Sequence, residues 1–410
     1  MDDYEIEIPQ YFICPISLQI MKDPVTAITG ITYDRESIEH WLFKSRNTTC
    51  PVTKQPLPTD SDLTPNHNLR RLIQAWCTQN SVDRIPTPKT PLNKFHLIKL
   101  LKDLHLHPQN QIKTLRQLEI FAAANERNRK YMAEVGVGKG VLSFIVTCFD
   151  KDQVSGVEEA LGTLNFLRIP AAETRQLITV ENDKVIESLT WVLGFDEIEN
   201  HVAIKSNAVI VLRNIIETVS SKVLERLKRE FFKRIVGVLR QGGITQQGIN
   251  AALHVLLEAC PWGRNRILMV ESGAVFELIE LELSTPEKRT TELILGVLFH
   301  LCCCADGRAQ FLSHSGGIAV VTRRILEVSP AADDRAILIL SMITKYARNS
   351  AVSQEMLKVR CVEKLCKLLQ YDCAPYLKEK ARQILTSHYH DLKDSPCIDL
   401  SILSTCTAQL

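Results

Sequence analysis

Five side chains near the start of this 410-residue chain are of types that hold metal ions or attack electrophiles: Cys14, His40, Cys50, His67 and Cys77. A structural zinc takes four such ligands, usually supplied as closely spaced pairs. None of the five forms a Cys-x-x-Cys pair, and Ser17 stands where the partner of Cys14 would fall. Metal is therefore not expected, and no cofactor follows from the ligand set. A nucleophilic Cys14 would need a base or a positive helix end beside it to form the thiolate, and neither is evident between Phe12 and Leu18. Further along, Cys302-Cys303-Cys304 adjoins Leu301 in an apolar run and reads as buried small residues rather than a redox or metal site. His254 and His300 lie in similarly apolar helices and are assigned no chemistry.

The elements that must position the amino-terminal group follow from local pattern. Val25 to Ile28 and Ile31 to Tyr33 are β-branched runs either side of Thr29-Gly30, which predicts a short hairpin. Asp34 stands where a helix N-cap belongs, ahead of an apolar stripe at Ile38, Trp41 and Leu42. A second helix opens near Pro65-Asn66, with Leu69, Leu72, Ile73 and Trp76 on the face that packs on the hairpin. Between the helices, Cys50-Pro51-Val52-Thr53 and Gln55-Pro56-Leu57-Pro58 predict a loop stiffened by prolines, each of which fixes its φ.

The stretch from Ile8 to Cys77 resembles a U-box. The resemblance is carried by Phe12-Ile13-Cys14-Pro15-Ile16-Ser17-Leu18, Tyr33-Asp34-Arg35, Trp41-Leu42, Thr49-Cys50-Pro51-Val52-Thr53 and Pro65-Asn66-His67-Asn68-Leu69-Arg70-Arg71-Leu72-Ile73. It implies an α+β domain with the outline of a RING but without zinc, and a ubiquitin ligase that recruits a ubiquitin-conjugating enzyme. By the same resemblance, Ile16 and Leu18 on the first loop and Pro51 on the second contact that enzyme, Trp41 lines the shallow groove between the loops, and Cys14 supports the first loop. Lys54 falls where many such ligases carry an arginine that bridges the enzyme and its ubiquitin. A lysine offers a point charge there rather than a planar fork. Ser17, Asp23, Asp34, Arg35 and Thr53 are the expected hydrogen-bonding substitutes for metal.

Composition bounds the remainder. The chain is too long for a single compact core, so two or more units are expected. A net charge of +2 without a polybasic stretch argues against a nucleic-acid partner. The acidic start, Met1-Asp2-Asp3-Tyr4-Glu5, does not read as a signal peptide. The longest apolar run, Leu293 to Ala305, falls short of the roughly 20 residues that span a bilayer, so no transmembrane segment is expected. Thirteen cysteines without framework spacing suit a reducing compartment, the cytoplasm or the nucleus. Residues 82–92, with Pro86-Thr87-Pro88-Lys89-Thr90-Pro91, predict a semi-rigid linker between a first domain at 6–81 and the rest of the chain.

From residue 93 to 391 the pattern is helical and repeats. Apolar segments beginning at Thr114, Ala160, Ala208, Ala252, Ile294, Ala336 and Ala381 are separated by 46, 48, 44, 42, 42 and 45 residues. Such a period predicts a solenoid of about seven units, with turns at Val135-Gly136, Glu271-Ser272-Gly273-Ala274 and Ser315-Gly316-Gly317-Ile318. The units resemble armadillo repeats, and residues 392–410 form a tail. A U-box followed by armadillo repeats is similar to the layout of plant U-box ubiquitin ligases. Ala259-Cys260-Pro261-Trp262-Gly263 is similar to a turn in their stress- and defence-related subgroup.

The fold expected is thus an α+β U-box followed by an all-α armadillo superhelical solenoid. Its expected partners are a ubiquitin-conjugating enzyme, ubiquitin and a protein substrate held by the repeats. Two other readings remain at this point: a scaffold whose U-box recruits nothing, and a ligase that carries ubiquitin on Cys14 as a thioester.

Overall fold

The computed structural model describes residues 8–44, 47–58, 61–80, 94–167, 169–178, 183–240, 243–284, 286–347 and 350–392. The expected linker at 82–92 lies outside the described residues, as does the tail beyond Leu392. By internal contacts the chain divides into two units: Met1–Ile98 with Ala124–Tyr131, and Lys99–Ala123 with Met132–Leu410.

In the first unit, strands β1 (Pro24–Thr26) and β2 (Thr32–Asp34) pair antiparallel, with Val25 opposite Tyr33. The turn between them closes through the Gly30 amide donating to the Ala27 carbonyl, and Gly30 takes φ 80°, a conformation open to a residue without Cβ. A third strand, β3 (Thr64–Pro65), joins the other edge of β1, giving the order β2-β1-β3. Periodicity did not announce this strand because only two residues pair.

Helix α1 (Arg35–Glu39) follows β2 directly and continues as a wider π turn over His40–Lys44. Asp34 occupies the N-cap position without capping the helix. Its carboxylate instead accepts the Lys22 and Asp23 amides at 2.8 and 2.9 Å, tying the first loop to the hairpin. Helix α2 (His67–Gln79) is capped by Asn66, whose side chain accepts the Leu69 amide at 3.1 Å. Ile73 and Cys77 are buried, and Leu69 and Trp76 pack against the same core. Leu72, expected on that face, is instead 58% exposed. The buried stripe therefore runs 69, 73, 76 and 77, rotated by roughly a tenth of a turn from the one the spacing suggested, with Cys77 in place of Leu72.

The second unit is a stack of three-helix repeats. A representative repeat runs Gly263–Glu271, Ala274–Leu283 and Lys288–Cys302. All seven apolar segments fall in helices, the last six in Val157–Phe166, His201–Ile216, Gln246–Ala259, Lys288–Cys302, Pro330–Tyr346 and Pro375–Ser387. These long helices pack each on the next, and the middle helices form a second ladder beside them. Each repeat therefore buries the apolar face its neighbour exposes. Polar ties cross the same joints: Asn165 donates to Asn207 at 3.0 Å, and Gln246 donates to Thr290 at 2.8 Å.

The turns are built for tightness. Gly136 and Gly273 take positive φ between the first and middle helices of their repeats, and Arg360 takes the same left-handed place in the last one. Gly316 is ordinary right-handed backbone; its neighbour Gly317 is the constrained residue, because a Cβ there would lie 2.5 Å from the Phe311 carbonyl oxygen.

Candidate functional site

The two loops of the first unit share one backbone scheme. In the first, the Cys14 amide donates to the Gln19 carbonyl at 2.8 Å and the Leu18 amide to the Cys14 carbonyl at 2.9 Å. In the second, the Cys50 amide donates to Gln55 at 2.8 Å and the Lys54 amide to Cys50 at 3.0 Å. Antiparallel bridges Ile13–Ile20 and Thr49–Pro56 close the two necks. The residues follow the same order, Cys14-Pro15-Ile16-Ser17-Leu18-Gln19 and Cys50-Pro51-Val52-Thr53-Lys54-Gln55. At the fifth place Leu18 and Lys54 both adopt left-handed backbone, with φ 55° and 60°. A side-chain-bearing residue is strained there by roughly 1–2 kcal/mol, so both loops hold their tips at a cost.

What holds each loop is a buried thiol that gathers hydrogen bonds. Cys14 Sγ accepts the Asp34 amide at 3.2 Å. Cys50 Sγ lies 2.9 Å from the Tyr33 hydroxyl, with the Thr29 hydroxyl and the Thr53 amide each at 3.4 Å. Burial opposes ionisation of both thiols, but the surrounding donors outweigh it. Ser17, Asp34 and Ile16 bring Cys14 below the usual thiol value, and Thr29, Thr53 and Tyr33 bring Cys50 down to about 6. Burial first, and then the facing Cys50, push the Tyr33 phenol upward. The Arg35 guanidinium pairs with Asp23 at 2.6 Å across the base of the first loop. Among the described residues, no group of three or more His, Cys, Asp or Glu side chains could hold a metal ion. Expected contributors Ser17, Asp23, Asp34, Arg35 and Thr53 thus all hold a loop, and Tyr33 and Thr29 join them.

The expected contact residues divide between tip and support. Cys14 is wholly buried, Ile16 and Pro51 are half-buried, Leu18 is 77% exposed and Lys54 is exposed. Trp41 is half-buried against the core, and its indole N–H donates to the Thr49 carbonyl at 2.9 Å, at the neck of the second loop. An open cleft of about 350 Å³ runs beside the first loop, lined by Ile16, Ser17, Ile20, Asp34, Ser37 and His40. Trp41 is not among its walls. Val52, half exposed at the position matching Ile16, went unnoticed in the sequence, although aligning the two loops with each other reveals it.

In the second unit, Cys302 is buried as expected, whereas Cys303 is exposed and Cys304 partly so, because the long helix ends at Cys302. His254 and His300 are half-buried. Burial lowers both pKa values, and nearby arginines lower them further. Ser353, His388 and Asp391 form a trio of types used in nucleophilic catalysis. Here the serine hydroxyl bonds both partners, at 2.7 and 2.8 Å, and is wholly buried, so the trio is a packing network.

Paired loops of one backbone scheme beside a three-stranded sheet, in a chain that also carries a solenoid of three-helix repeats, define a U-box and armadillo protein. The family profile described as the U-box domain matches residues 8–82, and that of the plant U-box protein ARM repeat region matches residues 95–408. The chain belongs to the plant U-box proteins with armadillo repeats, and it is an E3 ubiquitin transferase of the RING/U-box type. It is 46% identical to the Arabidopsis thaliana E3 ubiquitin-protein ligase PUB24 over 98% of this chain and 97% of that one. Identity to PUB23 of the same plant is 42% over 98% and 97%, and to PUB22 36% over 99% and 100%. A chain from a solved structure concerning the interaction between cadherin and β-catenin superposes with TM-score 0.59 at 13% identity, covering 84% of this chain and 61% of that one. That likeness is one of fold alone.

Proposed function

We propose that the two loops dock a ubiquitin-conjugating enzyme charged with ubiquitin as a thioester, and that the armadillo repeats hold the protein substrate whose lysine attacks it. The observation carrying this reading is the pairing of tips: Leu18 and Lys54 stand exposed at equivalent places on two loops of identical backbone scheme. Leu18, with Ile16 and Val52, supplies apolar anchors. Lys54 supplies a charge to bridge enzyme and ubiquitin, and Trp41 fixes the second loop through Thr49. The ligase contributes proximity and orientation, which convert a bimolecular attack into an effectively unimolecular one. Holding ubiquitin in a reactive pose requires contacts that favour that pose over others.

Cys14 carries no ubiquitin in this scheme, because its thiol is buried and committed to the Asp34 amide. Two loops that depend on reduced thiols suit the cytoplasm or nucleus. The turn at Ala259 to Gly263 supports a place in stress or defence signalling. The test is a reconstituted reaction containing activating enzyme, several conjugating enzymes, ubiquitin and ATP. Ubiquitin discharge that depends on this chain and is lost on Leu18 or Ile16 substitution supports the docking assignment. A ubiquitin adduct on this chain that thiols cleave would replace it with a covalent mechanism, and activity indifferent to both loops would leave a scaffold.

A further inference from the structure

At the carboxy-terminal ends of three successive long helices, Gln246–Ala259, Lys288–Cys302 and Pro330–Tyr346, cations and aromatic rings gather on one surface. Arg266 donates through Nη1 to the carbonyls of Cys260 and Pro261 at 2.9 and 3.3 Å. One repeat later Arg308 does the same to Cys302 and Cys303, at 3.0 and 3.2 Å. Each guanidinium thus clamps a helix end, where unpaired carbonyls concentrate negative partial charge. Arg308 also lies over the Tyr346 ring at 4.2 Å, with Lys345 Nζ 5.4 Å from the same ring. Arg335 lies over Phe299 at 4.9 Å, and the Phe299 and His300 rings are 5.2 Å apart. Cys303 joins the two halves: its thiol feels both Arg266 and Arg308 and touches Met342 at 3.9 Å.

Three features set the chemistry of what this surface accepts. Among the described residues, Arg266, Arg308 and Lys345 have no carboxylate at ion-pair distance, and Arg335 has only the neighbouring Asp334 at 3.4 Å. The carboxylates on the two later helices are engaged: Glu292 accepts the Ser329 hydroxyl at 2.5 Å and Asp334 accepts the Tyr376 hydroxyl, while Glu258 on the first helix is exposed. A guanidinium stacked on a ring keeps its remaining N–H donors in its own plane, so Arg308 and Arg335, with Nη1 already engaged, retain their other in-plane donors for an acceptor. His300 reports the resulting field, since after burial Arg335 and Arg266 are what lower its pKa.

We propose that this surface is the place where the repeats seize their substrate, and that its occupant is an extended protein segment carrying clustered carboxylates. The proposal rests on the reading of the repeats as the substrate-holding part and names the class of segment they hold. Nearby ring faces are already covered by cations, so an apolar segment finds few of them free, whereas an acidic one meets, at successive helix ends, positive charge with little carboxylate of its own to balance it. Tyr346, 61% exposed, leaves its outer edge to pack against the segment's backbone.

The test uses the full chain and short fluorescein-labelled peptides of alternating Glu and Ser, with Gln/Ser and phosphoserine/Gln versions alongside, read by fluorescence anisotropy. The Glu peptide is expected to bind about tenfold tighter than its Gln isostere, with the difference fading as salt rises. Arg308→Glu with Lys345→Glu should bring it to the Gln level. Because Arg308 also clamps a helix end, Lys345→Gln, which removes the charge without placing a negative one in the last turn of its helix, provides the fold-neutral variant; it should weaken the Glu peptide about threefold with an unchanged unfolding midpoint. Lys233→Glu, on another helix, should change nothing. Equal binding of Glu and Gln peptides, or Glu binding indifferent to both reversals, overturns the proposal; binding by the phosphoserine peptide alone overturns the carboxylate assignment. Ubiquitin discharge measured on the same variants separates the two levels: discharge intact without peptide binding removes only this inference, whereas discharge absent from the unsubstituted chain removes the reading beneath it.

Discussion

Replacing Leu18 with Gly should strengthen the fold and weaken the function together. Leu18 is 77% exposed and holds φ 55°. Left-handed backbone costs a residue with a Cβ roughly 1–2 kcal/mol, and glycine escapes that strain. Against this, glycine has more freedom to lose on folding, worth about 0.5–1 kcal/mol. The balance runs from about zero to about 1.5 kcal/mol in favour of the fold, seen as an equal or higher unfolding midpoint. Docking responds the other way. Burying a whole leucine side chain is worth about 1.5–3 kcal/mol, and some three-quarters of this one is still in water before the partner arrives. Losing it removes about 1–2 kcal/mol of binding, a roughly 5- to 30-fold weaker dissociation constant for the conjugating enzyme. Isothermal titration with a conjugating enzyme that supports activity, beside calorimetric unfolding, reads both quantities. Unchanged affinity would mean that Leu18 lies outside the interface; a marked loss of stability would mean that its left-handed conformation is not strained.

Three further outcomes are expected of the same loops. Arg35→Met leaves Asp23 without its partner at a mostly buried site, and chemical denaturation should show a loss of about 3 kcal/mol. Cys50 has a folded pKa of about 6 against an ordinary value of 9.0, so its contribution to stability is fully present above pH 9 and is lost as pH falls through 6. The unfolding midpoint should therefore fall over that window, less steeply in Tyr33→Phe, which removes the donor at 2.9 Å; a flat profile in the unsubstituted chain would show that the thiol stays neutral. Lys54→Arg should accelerate ubiquitin discharge at unchanged affinity for the enzyme, because a planar fork bonds two partners where an ammonium offers a point charge; identical single-turnover rates would place Lys54 outside the bridge.

Legible in the sequence was whatever leaves a period or a familiar spacing. Seven apolar segments 42 to 48 residues apart all became helices, because stacked repeats impose the same burial on each. The loop tips were found because their residues follow the U-box order. What stayed hidden depends on through-space partners. Asp34 looked like a cap, yet two amides twelve and eleven residues before it take its carboxylate. No pattern marks a cysteine as an acceptor: the supporting part of Cys14 came from the U-box resemblance, while the hub at Cys50 and Tyr33's part in it were hidden. Leu72 fits the apolar spacing of α2 but misses the narrow stripe that a small sheet can cover. The Cys302 run was read as uniformly buried because the end of a helix with no glycine or proline to mark it cannot be placed to the residue.

The shared backbone scheme of the two loops makes them interchangeable sockets. Each consists of a neck, a thiol hub and one projecting residue, which joins the wiring through its backbone amide while its side chain takes no part in holding the loop. On the docking proposed above, partner preference would drift, or be engineered, by rewriting Leu18 and Lys54 first, with the scaffold beneath left as it is. A protein built this way could exchange one conjugating enzyme for another in one or two substitutions, and chains that share these hubs while differing at the two tips would be expected to sort into distinct enzyme partnerships.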